Sequence, residues 1–360
     1  MSLNRYARQI AFSGIGVEGQ KKLLDSTVAI VGVGALGTVL ANILCRAGIG
    51  RLRLIDRDYV EFTNLQRQIL FTEDDAIKRQ PKAVAACDFL TRVNSEIVLL
   101  PVVSELNSGN IDQILGGVDL VLDAVDNWET RFLINEWSVK NRIAWIYSAA
   151  LGANGLTMNF RYNNSESPNN PNNPNDSSSN FADANHPCLR CFVPSDQSQT
   201  QQQTCATAGI LATTTGTIAS IQAAEAVKII IHSPAIRDGL LTIDLWNNRF
   251  KNIKIDRDCD CPVCVRGNYE YLLSSGGMRV QKICGRNSIQ ITPESQTQID
   301  LELFAKKLSK AGKTEANKYI LNFSNEECQF VLFQDGRAII ENIQDETHAK
   351  SIYNEFIGIK

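Results

Sequence analysis

Residues 28–37 read VAIVGVGALG, an apolar run that ends in glycines at positions 32, 34 and 37. A continuous apolar run of this length suits a strand buried on both faces. Glycines at this spacing let the chain turn tightly and let a phosphate approach the first turn of a helix. The next residues, ALGTVLANILCRAGIG, are apolar at helical spacing and stop at Gly48 and Gly50. RLRLIDRD (51–58) then reads as a second strand. Strand, glycine turn, helix and strand together have the size of one βαβ unit.

The same alternation continues. Strands are expected at 97–103, 118–126 and 143–151, with helices at 79–94 and 129–141. That order predicts an α/β, Rossmann-like fold: a mostly parallel sheet with helices on both faces. A long helix is expected at 209–232. LLTIDLWNNRFKNIKI (240–255) reads as a hairpin turning at Asn247-Asn248, which continues the sheet with antiparallel strands. Residues 163–185 are nearly all Asn, Ser, Pro and Asp, and are expected to form a mobile surface insertion. QSQTQQQT (197–204) is a second polar stretch. The pattern changes near residue 268, giving expected domains at 1–268 and 269–360. In the second, helices at 301–311 and 346–356 flank a hairpin made by YILNFS and QFVLFQDGRAIIE, a small α+β domain.

Composition removes several function classes. Among 360 residues, hydrophobic types make up 44% and charged types 21%, ordinary values for a globular protein. The net charge of −3 offers no basic excess for a nucleic-acid partner. No apolar run approaches the roughly 18–20 residues that span a bilayer. The N-terminal MSLNRYARQI has no apolar signal-peptide core, so a cytoplasmic location is expected. Ten cysteines, several in close pairs, then point to metal binding or thiol chemistry before disulfides.

Taken alone, GVGALG fits a nicotinamide cofactor as well as ATP. Asp56 ends the second strand, where a carboxylate can bind ribose hydroxyls in either case. The residues that follow separate the two. DRDYVEFTNLQRQ places Asn64, Arg67 and Gln68 just beyond that carboxylate, and Lys82 follows in KRQPKA. A triphosphate needs such cations and amide donors, and hydride transfer does not. DAVDN (123–127) puts Asp126 and Asn127 at the C-terminal end of a parallel strand, the edge where ligands sit in open α/β sheets. A carboxylate there can hold Mg²⁺, which keeps few protein ligands and binds through phosphates.

Cys188 and Cys191 form one C-x-x-C pair and Cys261 and Cys264 another. Two such pairs suit a closed, tetrahedral, structural Zn²⁺ site. The 69 residues from 192 to 260 would be closed into one loop by that metal. Cys259 is a spare thiol beside the second pair. Cys205 precedes the long helix, where a thiol can act as a nucleophile. The three histidines, at 186, 232 and 348, form no cluster, so neither a catalytic dyad nor a histidine metal site is expected.

RYARQI (5–10), GVGALG, DRDYVEFTNLQRQ, PKA, DAVDN, PCLRC, TCATAG and CPVC occur in the order found in the ThiF/MoeB/HesA family of the ubiquitin-activating-enzyme superfamily, and the chain resembles that family over residues 1–268. The C-terminal stretch resembles the extra domain of longer bacterial members. The resemblance implies ATP- and Mg²⁺-dependent adenylation of the C-terminal glycine of a ubiquitin-like sulfur-carrier protein ending in Gly-Gly. The pathway implied is thiamine thiazole or molybdopterin synthesis. Some relatives instead adenylate a ribosomal peptide, as in microcin-type modification. It further implies that Gly32, Gly34 and Gly37 frame the nucleotide turn and that Asp56 binds ribose. Asn64, Arg67, Gln68 and Lys82 would hold the phosphates, and Asp126, beside Asn127, the Mg²⁺. Arg8 resembles the arginine that reaches a neighbouring subunit's ATP, implying a homodimer. Cys205 matches a cysteine that bonds to the carrier in some members, and a cysteine desulfurase is an implied sulfur donor. Arg79 departs from the pattern, standing where most members have glycine.

Overall fold

The fold is built outward from one strand. β1 (Thr27–Val31) is buried along its whole length. Its alternate side chains enter two separate cores: Val28 and Ile30 one, Ala29 and Val31 the other. An apolar residue at every position is what a strand covered on both faces requires. The structure, a computed structural model, describes residues 3–162, 186–194, 209–274, 277–283, 287–294 and 298–358. The chain divides into two compact units, Met1–Ser274 and Ser275–Lys360.

In the first unit β2 (Arg51–Ile55), β3 (Val98–Val102), β4 (Leu120–Asp123) and β5 (Ala144–Leu151) join β1 in a parallel array, with Val28 opposite Leu52 on one side and Leu120 on the other. From β5 onward β6 (Asn154–Phe160), β7 (Leu240–Asp244) and β8 (Arg249–Ile253) pair antiparallel. The order is β3-β2-β1-β4-β5-β6-β7-β8. The connections reverse direction between β1 and β4, and the C-terminal ends of these strands therefore border a crevice.

The helices are α1 (Ala7–Ile10), α2 (Gly16–Asp25), α3 (Ala35–Ala47), α4 (Glu73–Ile77), α5 (Lys82–Thr91), α6 (Ile111–Leu115), α7 (Trp128–Asn141) and α8 (Ala212–Ile230). α3, α5 and α8 bury Leu40, Leu44, Leu90, Ile218 and Ala223 on one sheet face. α6 and α7 bury Ile111, Leu115, Phe132 and Trp137 on the other. The expected layering, with helices on both faces, is what the chain adopts. No helix among the described residues is long and apolar enough to cross a membrane.

One expected helix is shorter in the structure, and one strand was not expected. The helix expected at 79–94 is shorter, α5 (Lys82–Thr91) alone, because Arg79 takes a left-handed backbone (φ 47°) and Pro81 caps α5, while α4 has already ended at Ile77. A glycine would adopt that backbone at no steric cost, which accounts for glycine being usual there. β6 has no counterpart among the expected strands: its sequence NGLTMNF mixes polar and apolar residues without a clear run. The expected insertion at 163–185 and the stretch 197–204 lie outside the described residues.

The second unit is richer in strands than expected. β9 (Arg279–Lys282), β10 (Ser288–Thr292), β11 (Lys313–Ala316), β12 (Ile320–Ser324), β13 (Gln329–Phe333) and β14 (Ala338–Glu341) form an antiparallel sheet ordered β11-β12-β13-β14-β10-β9. α9 (Leu301–Leu308) and α10 (Glu346–Phe356) carry side-chain caps from Asp300 and Asp345. Leu301, Leu308, Ile352 and Tyr353 of these helices share a core with Phe323 and Phe330. The expected hairpin is three strands, since QFVLFQDGRAIIE folds back on itself at Gly336 (φ 84°).

Candidate nucleotide site and metal knuckle

The glycine turn is fixed by backbone contacts. A Cβ on Gly32 would lie 2.5 Å from the Ala124 carbonyl oxygen, and one on Gly37 would lie 2.0 Å from the Gly32 oxygen. Gly32 also takes φ 93°. The turn therefore presses against the segment after β4 at one end and against the first turn of α3 at the other. Gly34 caps α3 without any side-chain hydrogen bond, so the first N–H groups of that helix remain available to a ligand.

Around this turn the crossover loops gather the expected residues. Asp56 accepts from the backbone N–H of Val33 at 2.7 Å and of Asp58 at 2.7 Å. Lys82, buried at the start of α5, donates from Nζ to Asp58 at 3.3 Å and from its backbone N–H to the Asp58 carbonyl at 2.9 Å. Burial pushes the Asp56 carboxyl above its ordinary range; Lys82 opposes this and Asp58 adds to it. Gln68 is buried, its Oε1 has no hydrogen-bond partner among the described residues, and its Nε2 lies 3.9 Å from where a Gly34 Cβ would stand. An orphaned amide facing an open glycine cradle is what a site for a polar ligand looks like before the ligand arrives.

Asn64 and Arg67 sit in the same loop. The Asn64 Oδ1 accepts from the Glu61 N–H at 3.0 Å, and Arg67 donates to the Thr63 carbonyl at 2.9 Å. Asp126 is exposed two residues beyond Ala124 and makes no hydrogen bond or ion pair among the described residues. Asn127 differs from expectation: its Oδ1 caps α7 by accepting from the Thr130 N–H at 2.9 Å. A ligand would have to compete with that cap.

One expected residue is not brought here. Arg8 is exposed on α1. That helix is anchored by Gln9, which donates to the Ala47 carbonyl at 2.9 Å, and by Tyr6, which accepts from Asn94 at 3.0 Å. Ala47 ends α3, a helix of 13 residues, so Arg8 belongs to the far end of α3, about 20 Å from the glycine turn. Cys205 lies outside the described residues.

Sequence reasoning missed the partners of these groups. Asp58 is the resting counter-ion of Lys82. Arg57, 2.6 Å from Glu105, is held above its usual range because Glu105, Asp58, Asp126 and Asp56 together outweigh its burial. Asp123 is fully buried and accepts from Arg131 Nε at 3.1 Å, while Arg131 Nη2 donates to the Val125 carbonyl at 2.6 Å. This buried pair ties the segment carrying Asp126 to α7. DRD and DAVDN displayed the acids, but only the fold pairs them.

The four expected metal thiols do converge. The sulfurs of Cys188, Cys191, Cys261 and Cys264 lie within 4.8 Å of one another, with Cys188 to Cys261 at 3.6 Å and Cys191 to Cys264 at 3.5 Å. A tetrahedral zinc with bonds of about 2.3 Å sets its sulfurs about 3.8 Å apart, so the cluster fits zinc without an open position. Cys259 is exposed and outside it. Cysteine at the described positions is free of disulfides.

α7 also anchors the segment after the second knuckle. Glu136, 1% exposed, accepts from the N–H groups of Tyr271 at 2.8 Å and Leu272 at 3.0 Å, while its Oε1 has no partner among the described residues. Burial raises its carboxyl to about 7, against the two N–H groups and Arg190. The folded state therefore holds the proton more tightly than the unfolded chain. The contribution of this carboxyl to stability is full below pH 4.5, the ordinary value, and is lost as pH rises toward 7. Glu136→Gln keeps the accepting oxygen and has no proton to lose. Between pH 6 and 8 the wild-type chain is expected to lose about 1 kcal/mol relative to this variant, read from denaturant unfolding. Parallel curves would exclude the buried titration.

Known proteins agree with this architecture. The family model described as ThiF family matches residues 6–263. The sulfur carrier protein ThiS adenylyltransferase of Bacillus subtilis (strain 168) is 36% identical over 361 residues, covering 98% of this chain and 99% of that protein. The molybdopterin-synthase adenylyltransferase of Salmonella typhimurium is 34% identical over 261 residues, covering 72% of this chain and 95% of that one. Among solved structures, that of E. coli MccB with ATP aligns with a TM-score of 0.59 at 22% identity, over 72% of this chain and 74% of that one, a likeness of fold. With the model spanning nearly all of the first unit and a full-length relative of this identity, the chain belongs to the ThiF family.

Proposed function

We infer that the chain adenylates the C-terminal glycine carboxylate of a ubiquitin-like sulfur-carrier protein, using ATP and Mg²⁺. The observation that carries this reading is the relative from Bacillus subtilis, named for ThiS adenylylation, which matches both units. The molybdopterin relative covers only 72% of the chain. The full-length match favours the thiamine thiazole carrier over the molybdopterin one. The MccB likeness is one of fold and supports no peptide substrate.

The residues fit the substrate. The glycine turn and the first N–H groups of α3 receive phosphate oxygens, and Asp56 faces the ribose. Lys82 leaves Asp58 for the triphosphate, and Arg67 and the Asn64 and Gln68 amides supply further donors. Asp126 holds the Mg²⁺, which when bound offsets charge on the phosphate oxygens. The carrier carboxylate, ionised at neutral pH, attacks the α-phosphorus and pyrophosphate leaves. No general base is needed, in keeping with the absence of a histidine among the residues gathered at the turn. The site's contribution is to position the two anions and to stabilise charge that grows in the transition state.

Arg8, remote from its own glycine turn, serves the site of a second copy in a homodimer. Cys205 remains the candidate for a covalent bond to the carrier, and a cysteine desulfurase the candidate sulfur donor. The four-thiol cluster holds structural zinc, and its free thiols suit the cytoplasm.

ATP–pyrophosphate exchange by the purified chain, with Mg²⁺ and a carrier ending in Gly-Gly, tests the reading. Exchange is expected with the thiamine carrier. Exchange with a ribosomal peptide and none with any carrier would replace it.

A further inference from the structure

Lys82 and Arg67 are the two cations expected at the phosphates, and the fold treats them differently. Arg67 donates to a neutral carbonyl, that of Thr63, at 2.9 Å. Lys82 is paired with an acid: its Nζ donates to Asp58 Oδ2 at 3.3 Å, in a pair whose side chains are 7% and 24% exposed. The backbones beneath this pair are locked. The Lys82 N–H donates to the Asp58 carbonyl at 2.9 Å and the Val60 N–H to the Gln80 carbonyl at 2.9 Å, on either side of an antiparallel bridge between Tyr59 and Pro81. The Asp58 N–H is held in turn by Asp56 at 2.7 Å. With both backbones fixed, the movement left to the pair is mainly that of the Lys82 stem, whose four carbons can carry the ammonium from one anion to another. A triphosphate that takes this ammonium must break a shielded, charge-assisted hydrogen bond. It also leaves the Asp58 carboxylate beside its own negative charge.

We propose that Asp58 is a positioning residue that weakens ATP binding: it competes with the triphosphate for Lys82 and takes the ammonium back as nucleotide or pyrophosphate departs. This rests on the reading of Lys82 as a phosphate ligand. Tight binding of the ground state does not speed a reaction once ATP saturates the site, whereas a counter-ion already in reach of Lys82 favours release.

The experiment uses the full chain with Mg²⁺ and a non-hydrolysable ATP analogue. Asp58→Asn removes the charge and keeps the side-chain shape and the backbone carbonyl. It is expected to bind the analogue about tenfold more tightly. The KM for ATP in pyrophosphate exchange should fall by about the same factor, with a maximal rate no higher than that of the wild type. A carboxylate with a merely structural role would, on removal, weaken binding or leave it alone. Asp58→Ser carries the same expectation, and Asp58→Glu, which keeps the charge, should bind as the wild type does. Unchanged or weaker binding in Asp58→Asn and Asp58→Ser would overturn the proposal. Lys82→Met tests the reading beneath it: wild-type affinity in that variant would remove Lys82 itself from the phosphates.

Discussion

Asp126→Ala is expected to lower carrier-dependent ATP–pyrophosphate exchange by about 10²–10³-fold or more, as loss of a group that stabilises transition-state charge does. The fold should not notice. Asp126 is exposed and bonds to nothing among the described residues, so its removal falls within about 0.5 kcal/mol of neutral. Asp123, three residues earlier, is the contrasting case. It is fully buried against Arg131, and alanine there leaves a buried guanidinium unpaired, at a cost of about 3–5 kcal/mol. Paired melting curves and exchange rates separate the two acids: the first loses chemistry at full stability, the second loses stability. An Asp126→Ala chain that exchanges at half the wild-type rate would remove Asp126 from the mechanism.

Cys261→Ser carries the second large effect, this time on stability. A serine hydroxyl stays protonated and cannot replace a buried thiolate ligand of zinc. The variant is expected to lose its metal and on the order of 5 kcal/mol, since metal binding at such sites is folding free energy. For a unit of this size that corresponds to roughly 10–20 °C in melting temperature. Cys259→Ser, at the exposed thiol outside the cluster, should retain both metal and melting temperature. Metal analysis of the two purified variants decides the matter, and full zinc content in Cys261→Ser would exclude it as a ligand.

Where the backbone passes close to itself, the sequence was readable. Gly32 and Gly37 stand where a Cβ would strike a carbonyl, and no other residue type solves that problem. Gln68 was readable from its loop, and the four cysteines from their spacing. The partners were not. Nothing in DRD says which acid Lys82 will choose, because the choice is made by α5 starting beside Asp58. Glu136 looked like any helix-surface charge; its burial depends on Tyr271 and Leu272 arriving from 135 residues away. Asn127 looked like a ligand residue because caps and ligand donors draw on the same side chains. In the second unit β9 and β11 are short and polar, RVQK and KTEA, and become strands only by pairing with apolar neighbours.

The knuckles have one more consequence. Cys188 and Cys191 meet Cys261 and Cys264 across the whole of α8 and the β7–β8 hairpin. With zinc in place, that part of the molecule is a closed ring of chain. A protease cut anywhere from 192 to 260 would open the ring, and even in denaturant the two fragments would stay joined through the metal until a chelator was added. A metal held there would make the chain's integrity independent of the continuity of its longest excursion.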